Sequence, residues 1–407
     1  MTLTNKKAQN IKPAETLAVK ARALELARAG KHIIDLSTGE PDIETPEYIK
    51  DAARAAIAVG KTRYTAAAGI IELREAIALK LKTENGLDYK PADIIVSNGG
   101  KQALYTVFDV TLEPGDEVII PTPYWVSYPA MIEMAGGTPV FLPGKLENGF
   151  KITPAQLTAA LTPRTKFVLI NSPSNPTGLC YSEQEQRALG QAIANSKTNS
   201  STLVLSDEIY ELVVFDGFKF VSFEKACPEM AGRVVTINGF SKSFAMTGWR
   251  VGYAAGPKEI IAAMVRHQSQ ATSSINSISQ WAALAALQGD QRFIAPMIEN
   301  FKRRFDDAFE VLKEAPGITV DFNPQGAFYL FMSFRELKKM RPDHPALANS
   351  VAFTNCLLEN YGVAAVMGAA FGDDTAFRIS VAASDKAVAE GVRAIRKMAQ
   401  EISGMTQ

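Results

Sequence analysis

The sequence predicts an α/β fold: a mainly parallel seven-stranded sheet flanked by helices, with a smaller α+β domain from the N- and C-terminal segments. Short runs rich in valine and isoleucine lack polar alternation, as expected of strands buried on both faces. Helical segments separate most runs, which favours right-handed crossovers between parallel strands, although the last two runs are too close for a helix. The runs are Ile94–Ser97, Glu117–Pro121, Val140–Leu142, Phe167–Ile170, Leu203–Ser206, Val234–Ile237 and Gly252–Ala255.

Three local elements precede the sheet. Residues Thr16–Ala29 place apolar side chains on one helical face, and Gly30 is a common helix stop. The short strand Ile33–Leu36 then enters the turn Ser37–Asp42. Within that turn, Gly39 allows a backbone amide to approach a ligand closely, although the local sequence by itself favours an ordinary strand-to-loop turn.

Two further helices have clear signals. Thr45–Val59 is predicted to begin with Thr45 as N-cap and Pro46 at the first helical position. A later helix places aromatic and leucine residues on one face and is expected to turn its basic residues outward. The apolar set is Phe301, Phe305, Phe309 and Leu312, and the basic set is Lys302, Arg303 and Arg304.

The smaller α+β unit is predicted from three more strands after Pro316 and Gly317. These strands are Ile318–Phe322, Ala327–Phe331 and Phe377–Val381. Arg378 lies inside the last of them, and an arginine in an apolar strand is rarely buried without a partner. It either faces outward or forks onto a carboxylate.

Length and composition limit the function classes. The chain has 407 residues, enough for two domains with sizeable cores. With 47% hydrophobic and 21% charged residues it is typical of globular proteins. Its 43 basic and 43 acidic residues give no net charge, which argues against nucleic-acid or membrane-surface binding. No apolar run reaches membrane-spanning length, and residues 1–15 lack the apolar core of a secretory signal.

Cysteine and histidine usage is equally informative. The 3 cysteines are scattered and odd in number, so we expect reduced thiols in a cytoplasmic protein. The 3 histidines are far apart and lack metal-ligand spacing, so we expect no metal site. These residues are Cys180, Cys227, Cys356, His32, His267 and His344.

Five residues of complementary chemistry each lie just past the end of a predicted strand. In open α/β sheets ligands bind beyond the carboxyl ends of the strands, so such residues are expected to meet in one pocket. They are Gly100, Trp125, Asn175, Asp207 and Lys242.

The chemistry of this pocket is suggested by Lys242 and Arg250. A lysine amine acts as a nucleophile only when uncharged, and burial or a nearby cation lowers its pKa enough for Schiff-base chemistry. An arginine stays charged and binds phosphate through a fork of donors. A reactive amine beside a phosphate-binding arginine suits pyridoxal phosphate.

The other candidates have complementary chemistry. Gly99 and Gly100 lead from a strand into a predicted helix, Gln102–Leu112, whose N-terminal amides could bind phosphate. Trp125 could stack on an aromatic ring, although core packing is an equally ordinary role. Asn175 offers an amide donor, yet Asn-Pro is also a common turn.

Two residues of the string Ser-Asp-Glu-Ile-Tyr complete the candidate set. Asp207 follows an apolar strand and would be costly to bury unpaired, so we expect a cationic partner such as a pyridinium nitrogen. Tyr210 could donate a hydrogen bond to the oxygen on the same ring.

The string Ser-Lys-Ser-Phe-Ala-Met-Thr-Gly-Trp-Arg, residues 241–250, resembles the cofactor-lysine signature of class I/II aminotransferases, fold type I pyridoxal-phosphate enzymes. Gly-Gly-Lys-Gln-Ala at 99–103 and Asn-Pro-Thr-Gly at 175–178 agree with it. The resemblance runs from Ile11 to Ser380 and is strongest to the bacterial aspartate aminotransferase branch. We expect residues 46–299 to form the large cofactor-binding domain, and 1–45 with 300–407 the small one.

The resemblance implies roles for further residues. Gly39 and Arg378 are expected to bind the substrate carboxylate, and Trp125 and Asn175 to contact both cofactor and substrate. The cofactor phosphate is expected to be bound by Gly100, Lys101 and Arg250. Tyr64 is expected to reach the phosphate of the neighbouring subunit, which implies a homodimer.

Two departures from the family pattern stand out. Gly239 occupies a position that is often a phosphate-binding serine, and Ser241 is the candidate to replace it. Residues 269–279 contain no arginine where another subgroup binds the substrate side-chain carboxylate. For an acidic substrate, Lys101 with Thr16 must supply that recognition.

The implied activity is ping-pong transamination between an L-amino acid, aspartate, and a 2-oxo acid, 2-oxoglutarate. Catalysis is assigned to Lys242, Asp207 and Tyr210, with Lys242 moving the substrate proton. Alternatives on the same scaffold are a β-lyase or an aminotransferase for aromatic, alanine or prephenate-type substrates. Two other classes are a serine hydrolase built on Ser222–Lys225, which matches Ser-x-x-Lys, and a binding module without catalysis.

Overall fold

The computed structural model of the chain describes residues 3–5, 8, 9, 11, 13, 15–320 and 322–405. Position 321 of the predicted strand Ile318–Phe322 lies outside this set, as do parts of the N-terminal segment 1–15 and the last two residues.

A seven-stranded sheet forms the centre, as the sequence predicts. The first strand of the chain, β1 Ile34–Asp35, lies outside this sheet. The strands of the sheet are β2 Ile94–Ser97, β3 Glu117–Thr122, β4 Thr138–Pro143, β5 Thr165–Asn171, β6 Leu203–Asp207, β7 Val234–Gly239 and β8 Gly252–Ala255. Their order is β2-β8-β7-β6-β5-β3-β4, and only β8 runs antiparallel to its neighbours. Because β7 and β8 are joined without a helix, they pair as antiparallel neighbours.

Both faces of the sheet are buried, which explains the apolar runs. On β5, Phe167 and Leu169 pack into one hydrophobic cluster, whereas Val168 and Ile170 pack into another on the opposite face. The edge strand β4 is only partly covered. The absence of polar alternation therefore follows from two helical layers, one on each side of the sheet.

These layers and the rest of the chain contribute the following helices. They are Glu15–Arg28, Glu47–Ala58, Ile71–Lys80, Gly100–Thr111, Tyr128–Met134, Pro154–Ala160, Glu183–Ala194, Phe223–Ala226, Lys258–Ala271, Ser277–Gln288, Ile294–Leu312, Arg335–Met340, Ser350–Tyr361 and Asp385–Ser403. A π-helical turn, Leu81–Asn85, directly follows the third.

The register of the strands determines where the site lies. Asn171 on β5 pairs with Asp207 on β6, which pairs with Ile237 on β7. Gly239 at the end of β7 pairs with Gly252 at the start of β8. The carboxyl ends of the central parallel strands are thus level with one another, so the residues that follow them converge.

The smaller part contains two further sheets. Their strands are β1 and four later ones, β9 Tyr329–Ser333, β10 Val363–Ala364, β11 Val366–Met367 and β12 Ala376–Ser380. Strands β11, β12 and β9 form an antiparallel sheet, and β1 pairs in parallel with β10. The predicted strand Ile318–Phe322 is wrong, since in its described residues only Thr319 forms an isolated bridge, to Ser333.

Two local predictions are wrong. The second helix starts at Glu47, and Thr45 does not cap it: its hydroxyl donates to the Ala245 carbonyl at 2.7 Å and accepts from the Trp249 indole at 3.0 Å. Arg304 does not face outward. Its side chain is 10% exposed because two carboxylates, those of Asp42 and Asp385, pair with it.

The division into residues 46–299 and the remainder stays a prediction; the helix Ile294–Leu312 runs across its boundary.

Across the described ranges, no helix has the length and apolar character needed to span a bilayer. The same residues contain no group of three or more potential ligands placed to hold a metal ion. All of Cys180, Cys227 and Cys356 are free thiols.

Candidate active site

A cavity of about 520 Å³ opens at the carboxyl ends of the central strands. Every candidate site residue from the sequence lines it except Tyr64, whose side chain is 91% exposed on the surface of this chain. The lining candidates are Thr16, Gly39, Gly100, Lys101, Trp125, Asn175, Asp207, Tyr210, Lys242, Arg250 and Arg378, with Ser241 beside them.

Lys242 lies in the loop between β7 and β8. Its ammonium donates to the Gly39 carbonyl at 2.6 Å and lies 5.9 Å from the ring centroid of Phe328. Burial lowers the pKa of Lys242 to about 8, because the charged form loses hydration; Glu40 opposes the shift and Arg378 adds to it. A substantial fraction of this amine is therefore neutral, and nucleophilic, at mildly alkaline pH.

One end of the cavity is shaped to receive an anion. Gly100 is the first residue of the helix Gly100–Thr111, whose free amides and dipole favour phosphate. Gly99 has a φ of 82°, and a Cβ there would collide with the guanidinium of Arg250. A Cβ on Gly252 would likewise collide with the Gly100 amide nitrogen. Glycine is needed here because backbone and arginine approach each other closely.

The departure at Gly239 has a steric reason. A Cβ at this position would lie 2.9 Å from the Gly252 Cα and 3.1 Å from the Val251 carbonyl oxygen. The close pairing of β7 with β8 therefore leaves no room for a serine side chain. Ser241, two residues later, is buried and lines the cavity.

Asp207 is the last residue of β6 and is buried, with 4% of it exposed. Its carboxylate accepts a hydrogen bond from the Tyr128 hydroxyl at 2.7 Å and one from the Ile209 amide at 3.3 Å. Burial raises the pKa of Asp207 to about 6, and the Tyr128 hydrogen bond counteracts part of that effect. In the described part of the chain, no cation pairs with it directly.

Aromatic and amide side chains surround this carboxylate. The Trp125 ring packs edge-on against Tyr128, with centroids 5.2 Å apart, and the Lys101 ammonium lies 4.8 Å from the Trp125 ring centroid. Asn171 accepts from the Asn175 backbone amide at 2.8 Å and donates to the carbonyl of residue 207 at 3.0 Å. The loop after β5 is thereby fixed to the end of β6.

Tyr210 lies three residues after Asp207. Its hydroxyl is 2.8 Å from that of Tyr329, both rings are buried, and burial raises the pKa of Tyr210 well above its usual range. It is therefore a neutral hydrogen-bonding group at any physiological pH.

Arg378 on β12 reaches the cavity from the smaller part of the chain and is 2% exposed. It donates to the Asn175 side-chain oxygen at 2.9 Å and to the Ser37 carbonyl at 2.7 Å. Its Nε, also buried, has no hydrogen-bond partner. Its guanidinium lies 4.3 Å from the Tyr329 ring centroid, and burial lowers the pKa of Arg378. A buried cation with neutral partners and a free donor suits a carboxylate ligand.

Sequence reasoning missed several residues of the cavity. Tyr128 belongs to the same aromatic string as Trp125, and Tyr329 lies in a predicted strand, but neither carries a motif of its own. Ser37, Lys20 and Glu40 also line the cavity. Only the turn around Gly39 could have pointed to Ser37 and Glu40.

The hydrolase alternative is not supported by the geometry. Ser222 is 1% exposed and lies outside the cavity, where its hydroxyl donates to Glu208 at 2.8 Å and accepts from Asn85 at 2.8 Å. Lys225 is exposed. The Ser-x-x-Lys match therefore brings no base to the serine.

The residues fit pyridoxal 5'-phosphate. An amine with a lowered pKa suits the aldehyde, and the glycine-lined helix N-terminus beside Arg250 suits the phosphate. The buried carboxylate of Asp207 suits a protonated ring nitrogen.

Comparisons with known proteins agree. Residues 31–395 match the family described as aminotransferase class I and II. The chain is 48% identical to the aspartate/prephenate aminotransferase of Cereibacter sphaeroides, covering 97% of this chain and 98% of that protein. It is 47% identical to the aspartate aminotransferase of Geobacillus stearothermophilus, covering 96% and 98%.

Solved structures of aspartate aminotransferases have the same fold as this chain. The aspartate aminotransferase of Thermus thermophilus with maleate superposes with a TM-score of 0.90 at 42% identity, covering 98% of this chain and 100% of that one. The enzyme of Rhizobium meliloti gives 0.91 at 41% identity, covering 98% and 99%. The chain belongs to the class I and II aminotransferases, and its cofactor is pyridoxal 5'-phosphate.

Proposed function

We propose that this chain transfers the amino group of L-aspartate to 2-oxoglutarate. The observation that carries the proposal is that Arg378 and Lys101 line the same cavity, so that two cations are available to the two carboxylates of a dicarboxylic acid. Arg378 would bind the α-carboxylate, with Gly39 beside it. The Lys101 ammonium, with the Thr16 hydroxyl, would bind the side-chain carboxylate.

Named relatives support this substrate class. The relatives from Geobacillus stearothermophilus and Thermus thermophilus are aspartate aminotransferases, and the latter is described with maleate, a four-carbon dicarboxylate. Arginine is absent from residues 269–279, so Lys101 is the cation we assign to the second carboxylate.

The proposed catalytic residues are Lys242, Asp207 and Tyr210. When bound, pyridoxal 5'-phosphate supplies an aldehyde for amines and a ring that accepts electrons from the substrate α-carbon. Lys242 would move the proton from that carbon, since its lowered pKa allows it to act as base and then acid. Asp207 would hold a positive charge at the ring nitrogen, and Tyr210 would donate from its neutral hydroxyl.

The remaining residues would bind the cofactor and exclude water. The backbone amides of Gly100 and Lys101, with Arg250 and Ser241, would hold the phosphate. Trp125 would cover one face of the ring, and Asn175 would donate to its oxygen while contacting Arg378.

We also propose a homodimer in which Tyr64 reaches the neighbouring cavity. Tyr64 is exposed on the isolated chain, and so are Ile57, Val59 and Ile71, three apolar residues close to it in sequence; this exposure supports a surface that a second subunit covers. The free thiols of buried Cys180 and Cys227 support a reducing, cytoplasmic setting. The large domain 46–299 and the small domain formed by the rest remain part of the same proposal.

The test is a spectral titration of the holoenzyme with a panel of amino acids, followed by product analysis from aspartate with 2-oxoglutarate. Aspartate and glutamate are expected to convert the cofactor spectrum at far lower concentrations than alanine or phenylalanine. Formation of oxaloacetate and glutamate in equal amounts is expected. Ammonia release without an oxo-acid acceptor would point instead to β-lyase chemistry and contradict the proposal.

Prephenate is a second candidate acceptor. The relatives from Cereibacter sphaeroides and Nitrosomonas europaea, the latter 46% identical, are named aspartate/prephenate aminotransferases. Prephenate also carries two carboxylates. Comparing kcat/KM for prephenate and 2-oxoglutarate with glutamate or aspartate as donor decides whether both acceptors are used.

A further inference from the structure

A cluster of buried polar side chains lies next to the cavity without lining it. Each of its members is at most 8% exposed. This buried polar cluster consists of Lys80, Asn85, Ser206, Glu208, Glu211, Ser222 and Asn238.

Glu211 is the centre of one half of the buried polar cluster. Its carboxylate pairs with the Lys80 ammonium and accepts hydrogen bonds from the side-chain amides of Asn85 and Asn238, each at 2.7 Å. Lys80 also donates to the Asn85 side-chain oxygen at 2.7 Å, and Glu84 approaches it to 3.9 Å. The buried charges are thus compensated and hydrogen-bonded.

Glu208 is the centre of the other half. It accepts from the hydroxyls of Ser206 and Ser222, each at 2.8 Å, and from the Phe223 amide at 3.1 Å. Asn85 donates to the Ser222 hydroxyl at 2.8 Å and so joins the halves. Burial raises the pKa of Glu208 to about 7, which leaves this carboxyl partly protonated at neutral pH.

The buried polar cluster and the cavity share two backbone segments. One segment is the end of β6 with the turn that follows it, where Asp207 and Tyr210 line the cavity, whereas Glu208 and Glu211 face the cluster. The second shared segment is the end of β7. There Asn238 donates to the Glu211 carboxylate and accepts from the amide of residue 239, three residues before the cavity lysine.

The π-helical turn Leu81–Asn85 brings the third element. It follows the helix Ile71–Lys80 and ends at Gly86, with φ of 68°, so that both its preceding lysine and its last residue point into the cluster. Such wide turns are uncommon and concentrate near functional sites.

We propose that Glu211, held by Lys80 and Asn85, is a positioning residue that fixes Tyr210 and the Lys242 loop relative to each other. An isolated buried ion pair adds little stability over an apolar pair of the same shape, but it selects one arrangement of the segments it joins. Here those segments carry the proposed catalytic groups, and a displacement of about 1 Å costs up to roughly 100-fold in rate. The proposal rests on the roles assigned above.

The test compares Glu211→Gln with the double variant Lys80→Met/Glu211→Gln, whose cluster has the same net charge as the wild type. Asn238→Ala leaves the ion pair intact and serves if the others fold poorly. The matched control is Glu117→Gln, because Glu117 is a buried glutamate paired with Arg164 at 2.6 Å, at the opposite end of the strands.

Three quantities are measured for each holoenzyme: kcat with the best amino acid of the panel, the pH midpoint of the cofactor absorbance, and the thermal midpoint of unfolding. The Glu211 and Asn238 variants are expected to lose about 10–100-fold in kcat. The pH midpoints of their cofactor absorbance are expected to move by about 0.5 pH units, which is roughly a threefold change in the protonation equilibrium constant. Glu117→Gln is expected to lose only thermal stability.

Restoration of wild-type kcat and absorbance midpoint in the double variant would overturn the proposal, because only an unpaired charge would then matter. Equal losses in Glu117→Gln, or unchanged values in Asn238→Ala, would overturn it too. The absorbance titration needs no amino-acid substrate. A wild-type enzyme inactive toward aspartate would therefore refute the proposed function while leaving this test intact.

Discussion

The cavity and the buried polar cluster beside it each contain a buried lysine, and the two lysines differ in their contacts. In the cluster, the Lys80 ammonium contacts the Glu211 carboxylate and the Asn85 amide oxygen. In the cavity, the ammonium of Lys242 donates to a backbone carbonyl. Burial lowers the pKa of Lys242 to about 8, so it is the lysine of the two that is prepared for chemistry.

Two buried arginines show the same contrast. Arg304 binds both oxygens of Asp42 at 2.8 Å and one of Asp385 at 2.6 Å. Arg378 donates to neutral oxygens and leaves its Nε without a partner. Throughout the described residues, no carboxylate lies within ion-pair distance of Arg378.

The difference teaches how to tell a functional buried cation from a structural one. Burying a charge is costly unless an opposite charge compensates it. Where the chain supplies the carboxylate, the pair joins two segments. Where it supplies only carbonyls and amides, the compensating anion has to come from a ligand. Until that ligand binds, the uncompensated buried charge lowers the stability of the folded protein.

The largest expected effect separates the two lysines. Lys242→Ala should still bind pyridoxal 5'-phosphate through its phosphate contacts but should lower transamination by roughly 10⁴-fold or more, since no other proposed residue moves the proton. Lys80→Met should instead lower the free energy of unfolding by about 3–5 kcal/mol, because Glu211 is left buried and unpaired. Steady-state rates and denaturant unfolding check both. Near-normal rates of the half-reactions in Lys242→Ala would contradict the catalytic role that separates Lys242 from Lys80.

The two arginines give the next effect. Arg378→Lys should raise the KM for amino and oxo acids by about 30–100-fold, because a lysine cannot form the bidentate contact. Arg304→Lys should leave KM within about threefold and reduce stability by about 2–4 kcal/mol. Both are read from kinetics and thermal unfolding of the same preparations. If Arg304→Lys raised KM and Arg378→Lys lowered only stability, the absence of a carboxylate partner would not identify the arginine that binds the substrate.

A smaller effect concerns the apoprotein. The folded pKa of Asp207, about 6, lies above its usual value of 3.8, so its ionised form opposes folding. That penalty is absent below pH 3.8, grows as pH rises through 6, and is complete at pH 8. Asp207→Asn should thus stabilise the apoprotein by about 3 kcal/mol at pH 8 and much less at pH 4, while reducing activity. A gain independent of pH would contradict this explanation.

The smallest effect is a shift in lysine reactivity. Modification of apoprotein Lys242 by an amine-specific reagent, followed by mass spectrometry across pH, should show a midpoint near 8 instead of 10.5. Because Arg378 contributes to the lowered pKa, Arg378→Leu should move the midpoint upward. A midpoint near the ordinary lysine value in the wild type would show that the amine is hydrated.

The sequence predicts the strands and the residues of the cavity, but it does not predict the buried ion pairs. Apolar runs predicted each strand of the large sheet, because strands buried on both faces need no polar alternation. The rule that ligands bind beyond strand ends then brought together Asp207, Asn175 and Lys242. The family signature added Arg378, whose aromatic and amide surroundings no local pattern predicts.

The paired charges could not be predicted in this way. Arg304 lies within a basic run on an amphipathic helix and was expected to face water, yet Asp42 and Asp385, distant in sequence, bury it. Thr45 has the sequence of an N-cap, but its hydroxyl contacts Ala245 and Trp249 instead. In each case a tertiary contact overrides a correct local preference.

The most direct test of the central claim is borohydride reduction of the holoenzyme followed by peptide mapping. If the amine of Lys242 holds the cofactor, the pyridoxyl group will be found on the peptide containing that residue, and the peptides of Lys80 and Lys101 will be unmodified. A pyridoxyl group on another lysine, or on none, would contradict the assignment of the cavity as the catalytic site.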